Sequence, residues 1–245
     1  MLSFRYGNFN IIYPESYFQF LKEVFILDVY RTNLIRKNDL VLDIGASTGD
    51  FCILASMKVG ENGKVIAIEP DIESYELLKL NIERNNCQNV IPVNSGVGDA
   101  QGKKNIIAPC DRMIPSKINT LENILNDLKI KDRINFIKMD IEGMETDVIN
   151  SSIEIIKRVD VISLEFHGTK EKVDELLVPH SLMFKPITMI YLYKKMIKNL
   201  FLHPITLCDV FVHTIRENPS RLYKTITGFD MTKDHLLVGS YIKRT

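Results

Sequence analysis

The run Asp39-Leu-Val-Leu-Asp-Ile-Gly45, followed by Ala46-Ser47-Thr48-Gly49 and a helical stretch at 50–58, constrains this chain more than any other segment. An apolar run of strand length that ends in glycine and passes at once into a helix is the first turn of an α/β unit. The two glycines serve different ends. Gly45 lets the backbone turn tightly, and Gly49 lets the next helix come close to whatever the turn holds. The dinucleotide spacing Gly-x-Gly-x-x-Gly is absent, and the acid Asp43 ahead of the first glycine suits an ammonium better than a pyrophosphate.

The alternation continues on both sides. Phe18, Leu21, Phe25 and Val29 recur at helical spacing, and Pro14 stands where a helix start tolerates it, so 13–36 reads as an N-terminal helix. Strands are expected at 64–69, 89–94, 134–140 and 161–167, and helices at 71–86, with Asp71 at a capping position, and at 142–159. Between 96 and 130 the rhythm loosens into a turn at 98–102 between short strands and a short helix at 120–128. Such alternation implies right-handed crossovers and an α/β fold: a Rossmann-like, mostly parallel seven-stranded sheet with helices on both faces. The expected organisation is an N-terminal helical extension at 1–38, a core at 39–180, an insertion or lid at 181–232 and a closing strand of the core at 233–245, clearest at 236–242.

With 245 residues, 45% of them hydrophobic and 25% charged, the chain can bury one substantial core. Its formal charge of zero offers no global attraction to nucleic acid, and no nucleic-acid partner is expected. Cys52, Cys87, Cys110 and Cys208 are scattered, without zinc-finger spacing, and read as reduced thiols. The first ten residues do not resemble a signal peptide, and no run approaches the ~18 apolar residues of a membrane span, so the expected address is the cytoplasm.

Open parallel sheets bind ligands beyond the carboxyl ends of their strands. Gly45, Ala46, Ser47 and Gly49 are therefore candidates to contact a cofactor through amides at the helix start. Glu69, followed by Pro70, stands at the tip of the second strand, where a carboxylate can accept hydrogen bonds from both hydroxyls of a ribose. Asn94 and Ser95 end the third strand, where an adenine edge would lie. S-adenosylmethionine carries an ammonium and a sulfonium as well as a nucleoside, and is the expected cofactor.

Four blocks carry a resemblance: Lys37-Asn-Asp-Leu-Val-Leu-Asp-Ile-Gly-Ala46, Ile66-Ala-Ile-Glu-Pro70, Thr120-Leu-Glu-Asn-Ile-Leu125 and Ile137-Lys-Met-Asp-Ile-Glu-Gly-Met-Glu145. The chain resembles the FkbM family of methyltransferases over roughly 36–168, most sharply in Lys138, Asp140, Glu142, Gly143 and Glu145. The resemblance implies the class I methyltransferase fold, S-adenosylmethionine as donor and usually oxygen methylation of a sugar, polyketide or lipid-linked acceptor. Ser47-Thr48 departs from relatives that often carry Asn followed by a branched residue.

Methyl transfer to an alcohol requires alignment of the acceptor oxygen and removal of its proton. Asp140, Glu142, Glu165 and His167 fall at the ends of the fourth and fifth strands. His167 is the candidate general base, oriented by Glu165 or Asp140, and Asp140 also borders the cofactor. Three carboxylates and an imidazole can also hold a divalent cation, but their spacing matches no recognised signature and no metal is expected. Glu145 reads equally as a first-turn acid favoured by the helix dipole. The segment 189–202 is a basic amphipathic helix with Lys194, Lys195, Lys198 and Asn199 on one face. It reads as a core-packing or dimer-forming helix, with peripheral membrane contact as the other reading.

The expected partner is a small-molecule or lipid-linked acceptor. The rival is a non-catalytic nucleotide-binding scaffold on the same fold, which need not bind S-adenosylmethionine. A nicotinamide oxidoreductase is disfavoured by the glycine spacing. Nucleic-acid amino methylation is disfavoured because Asp140-Ile-Glu-Gly stands where an Asn-Pro-Pro-Tyr-like motif would.

Overall fold

The computed structural model describes residues 1–108, 112–202 and 238–243. The chain opens with a hairpin, β1 (Leu2–Tyr6) and β2 (Phe9–Tyr13), whose alternate residues Phe4, Tyr6, Ile11 and Tyr13 are buried. Helical turns follow: α1 (Phe18–Leu21) runs into wide π-type turns at Lys22–Leu27. The continuous helix expected over 13–36 is not formed. Asp28 and Arg31 take φ of +51° and +53°, which no helix accommodates, and the Asp28 carboxylate accepts the Thr32 amide at 2.6 Å.

The remaining elements are β3 (Leu40–Ile44), α2 (Asp50–Val59), β4 (Lys64–Ile68), α3 (Ile72–Arg84), β5 (Val90–Val93), β6 (Gly96–Val97), β7 (Gly102–Ala108) and β8 (Arg112–Asn119). Then come α4 (Leu121–Asp127), β9 (Phe136–Met139), α5 (Glu145–Ser151), α6 (Ile153–Ile156), β10 (Val161–Glu165), α7 (Lys170–Leu177), β11 (Leu182–Pro186), α8 (Met189–Leu202) and β12 (Val238–Lys243). The helix expected at 142–159 is thus two short ones, separated at Ser152.

The main sheet has seven strands in the order β11-β12-β10-β9-β3-β4-β5, parallel except where β12 runs against both β10 and β11. Successive strand residues feed opposite cores. Val41, Val65 and Phe136 join the N-terminal segment, α2 and α8, whereas Leu42, Ile66 and Ile137 join the cluster holding Leu121, Ile149 and Val173. Both faces are covered, so the strands are apolar throughout rather than alternating. The expected insertion needs a correction: its first residues form β11, the sheet's edge, beside which Gly239 leaves room for the ring of Phe184. The rest of that segment beyond Leu202, and residues 233–237, 244 and 245 of the expected closing strand, lie outside the described residues.

Two devices position the first turn. Asn81 of α3 receives the Ile12 amide and donates to the carbonyls of Ile12 and Thr48, clamping the hairpin and the glycine turn to one helix. A small second sheet, in the order β6-β8-β7, stands over the carboxyl edge of the main sheet. Cys52 and Cys87 are free and buried; Cys110 and Cys208 lie outside the described residues. Among the described residues no helix is long and apolar enough to cross a membrane.

Candidate active site

From β3 the chain moves outward in both directions, to β4 and β5 on one side and to β9 and β10 on the other. The carboxyl ends diverge there, and a cleft with about 920 Å³ of space, part of it open to solvent, lies beyond them. Gly45, Ser47, Glu69, Pro70, Ser95 and Asp140, all expected from the sequence, line it. Ala46 and Gly49 do not; they shape the turn behind it. Gly45 at φ +81° passes so close to β9 that a Cβ there would lie 2.0 Å from the Asp140 carbonyl oxygen.

The amides of the turn are largely spent inside the fold. Gly45 and Ala46 both donate to Ile68 O at 3.0 Å, Gly49 donates to Ala46 O, and Ser47 donates to Glu69 Oε2 at 2.7 Å. The expectation that these amides face a ligand is therefore not met. With these four amides engaged, the turn is poorly disposed to cradle a phosphate.

Glu69 is buried, and its other oxygen accepts the Asp71 amide at 2.8 Å. Burial is the main cause that pushes its carboxyl up to about 7, against the two amide bonds. Each carboxylate oxygen retains a further lone pair for a ligand hydroxyl. Asn94 turns away: it is exposed, and its amide donates to Glu69 O at 2.9 Å. Ser95 is buried and donates to Gly96 O.

Asp43 is wholly buried and is not among the residues lining the cleft. Its register partner on β9 is Lys138, whose Nζ stands 3.3 Å from Asp43 Oδ1 and donates to Gly45 O at 2.5 Å. Neither Asp43 oxygen has a hydrogen-bond partner, and burial pushes this carboxyl up to about 7 although Lys138 opposes the shift. Burial disfavours the charge on Lys138, but the surrounding Asp43, Asp140 and Asp50 outweigh it and raise the ammonium pKa.

The N-terminal segment adds residues that sequence reasoning missed. Glu23, Tyr30 and Asp50 line the cleft. The Tyr30 hydroxyl donates to Asp140 Oδ2 at 2.9 Å and approaches Glu165 Oε2 at 3.2 Å. Burial is the leading cause that lifts Glu23 to about 7, Glu165 to about 8 and Asp50 above the usual carboxylate range. A glutamate within the apolar run Phe18-Gln-Phe-Leu-Lys-Glu-Val-Phe25, and a lysine within the apolar strand β9, were the available signals.

His167 lies beside the cleft wall rather than in it. Its Nδ1 meets Glu145 Oε1 at 2.9 Å, and its Nε2 lies 3.4 Å from Glu142 Oε2 and 4.0 Å from Asp140 Oδ1. Glu145, fully buried, also accepts Thr169 Oγ1 at 2.9 Å and the Gly143 amide at 3.0 Å, so it is more than a dipole-favoured acid. Burial disfavours the charge on His167, but the Glu145 bond, Glu142 and Asp140 more than offset it and push the imidazole up to about 9.

The helix read at 189–202 forms as α8 and packs on the N-terminal turns. Lys195 reaches Asp28 at 2.5 Å, and Asn199 donates to the carbonyls of Phe25 and Ile26. Lys194 and Lys198 face solvent instead, so the single basic face splits in two.

The sequence matches the methyltransferase FkbM domain over residues 43–189. A curated relative from Sulfurisphaera tokodaii, named probable cobalt-precorrin-6B C(15)-methyltransferase (decarboxylating), is 29% identical over 120 residues, covering 48% of this chain and 60% of that protein. The match thus spans less than two thirds of the relative's length. Among solved structures, methyltransferase FkbM from Methylobacillus flagellatus KT is 20% identical, with a TM-score of 0.48 over 72% of this chain and 44% of that one. Precorrin-6y C5,15-methyltransferase from Geobacter metallireducens GS-15 is 21% identical, with a TM-score of 0.44 over 66% and 71%.

Proposed function

Because this chain belongs to the methyltransferase FkbM domain family, we propose that it transfers a methyl group from S-adenosylmethionine to a hydroxyl oxygen of a small-molecule, sugar or lipid-linked acceptor. The observation that carries the reading is the donor set of the cleft. Glu23, Asp50, Glu69, Asp140 and Glu142 surround the space, Lys138 is held back by Asp43, and the amides of Gly45, Ala46, Ser47 and Gly49 are engaged within the fold. Such a lining suits a cationic nucleoside.

Glu69 would take the ribose hydroxyls. Ser95, Gly96 and Val97, with Ile106 and Ile107 of β7, offer the adenine a largely apolar slot. The carboxylates toward Asp140 face the charged end. When bound, the donor supplies an electrophilic methyl group.

The acceptor proton goes to Asp140, which lines the cleft, keeps a quarter of its side chain exposed and is oriented by Tyr30. His167, fixed by Glu145 and set back from the cleft, holds Glu142 and Asp140 in place rather than taking that proton. The lipid-linked end of the acceptor class is favoured by α8. Ile190, Tyr193, Ile197 and Phe201 lie exposed along it beside Lys194 and Lys198, a face that suits an anionic lipid surface. Flotation with anionic vesicles tests that part: recovery in the soluble fraction argues against it.

Calorimetry with S-adenosylmethionine and with NAD, followed by transfer of labelled methyl to hydroxylated acceptors, tests the reading. Binding of the sulfonium nucleoside alone and product labelled on oxygen are expected. A chain that binds neither is the non-catalytic scaffold. Transfer to a carbon, the reaction in the names of the curated relatives, would overturn the oxygen assignment.

A further inference from the structure

The geometry points to a divalent-cation site formed by Asp140 Oδ1, Glu142 Oε2 and His167 Nε2, at the wall of the cleft and open toward it. One ligand atom from each lies within 4.8 Å of the others. A first-row cation held at about 2.0–2.2 Å from oxygen and nitrogen donors sets neighbouring donors roughly 3–3.5 Å apart. The observed 3.4 Å from His167 to Glu142 and 4.0 Å from His167 to Asp140 need only side-chain adjustments to meet that.

The surroundings are arranged as they are around metal ligands. His167 Nδ1 is held by buried Glu145, whose oxygens are further fixed by Gly143 N and Thr169 Oγ1, so the ring orientation is set and Nε2 points at the two carboxylates, where the ion takes the place of its proton. Asp140 Oδ2 is held by Tyr30, which leaves Oδ1 for the ion. Glu142 reaches the cluster because it and Gly143 adopt consecutive left-handed conformations, φ +52° and +94°.

Two carboxylates and one imidazole on one side leave positions for water and an acceptor oxygen, the donor mix and open face that suit Mn2+ or a similar ion. Asp140 and Glu142 line the cleft, so the vacant coordination positions face it. The role we assign, polarising the acceptor hydroxyl so that its proton passes more readily to the Oδ2 that Asp140 keeps off the ion, rests on the methyltransferase reading. The ion site itself does not.

The test uses the full chain, stripped with a chelator and titrated with Mn2+ alone, with free Mn2+ followed by electron paramagnetic resonance. One saturable site per chain is expected. His167→Gln and Glu142→Gln should each weaken it at least tenfold, and Glu145→Gln, which touches no ion, by about 10–100-fold. Glu154→Gln, on the exposed surface, should leave it unchanged. In the unmodified protein, substoichiometric Mn2+ should broaden the ring signals of one of the five histidines first, a readout that does not depend on any variant folding. Absence of a stoichiometric site, or an unchanged affinity in both His167→Gln and Glu142→Gln, overturns the proposal. S-adenosylmethionine binding is measured in parallel: a chain that takes the nucleoside but no Mn2+ loses the ion site and keeps the methyltransferase reading.

Discussion

Lys138 Nζ stands 3.3 Å from Asp43 Oδ1, and the two residues are register partners on β9 and β3, so one buried ion pair ties the central strands where the chain changes direction. Lys138 also donates to the Gly45 carbonyl, which makes the shape of the glycine turn depend on β9.

Removing the cation alone should therefore be severe. Lys138→Met leaves Asp43 buried with no compensating charge and is expected to lose about 3–5 kcal/mol of stability in urea denaturation. Lys138→Met combined with Asp43→Asn should recover much of that loss, because the uncompensated carboxylate is gone. Equal stability of the single and double variants would show that the pair is not the cause.

Glu69 joins two loops through the amides of Ser47 and Asp71. In Glu69→Gln, one of those amides must face a side-chain NH2 group. The donor-free protein should lose roughly 1–3 kcal/mol, and affinity for S-adenosylmethionine should fall at least tenfold by calorimetry.

Ser47 adopts φ +48°, a conformation that glycine and asparagine reach more readily. Ser47→Asn should raise the stability by about 0.4–1 kcal/mol in thermal melts without loss of donor affinity. The residue type often found in relatives at this place then has a backbone reason.

The raised carboxyl groups set the pH dependence of stability. Glu165 is pushed up to about 8 in the folded chain from an ordinary value near 4.5, so between those values the folded state holds a proton that the unfolded state releases. Its contribution to stability falls as pH rises through that window. Glu23, Asp43 and Glu69, each raised to about 7, act in the same direction. Stability should decline from about pH 5 to pH 8, and Glu165→Gln should flatten the decline by about one proton. A Glu165→Gln profile parallel to the wild type would contradict the assignment.

The strand-helix alternation from β3 to β10 was legible because each strand is apolar on both faces and each helix carries its own punctuation. The hairpin β1-β2 was not, since its short alternation merges with the helical spacing that begins near Phe18. Strand β11 was missed because five residues, three of them exposed, carry little pattern. In the site, Glu69, Ser95 and Asp140 were legible from their places at strand tips. The placing of Asp43 was not, because its environment is set by Lys138, and that neighbour follows from the order of strands in the sheet. The wall made by Glu23 and Tyr30 is equally non-local: Tyr30 and Asp140 are 110 residues apart in the chain.

The central claim is that the carboxylate-lined cleft holds a sulfonium nucleoside by its ribose. A crystal structure of the full chain soaked with S-adenosylmethionine tests it most directly. The account predicts both ribose hydroxyls within about 3 Å of the Glu69 carboxylate, and the charged end beside Asp140. Density for the nucleoside at another place, with the cleft empty and Glu69 bonded only to Ser47 and Asp71, would contradict it.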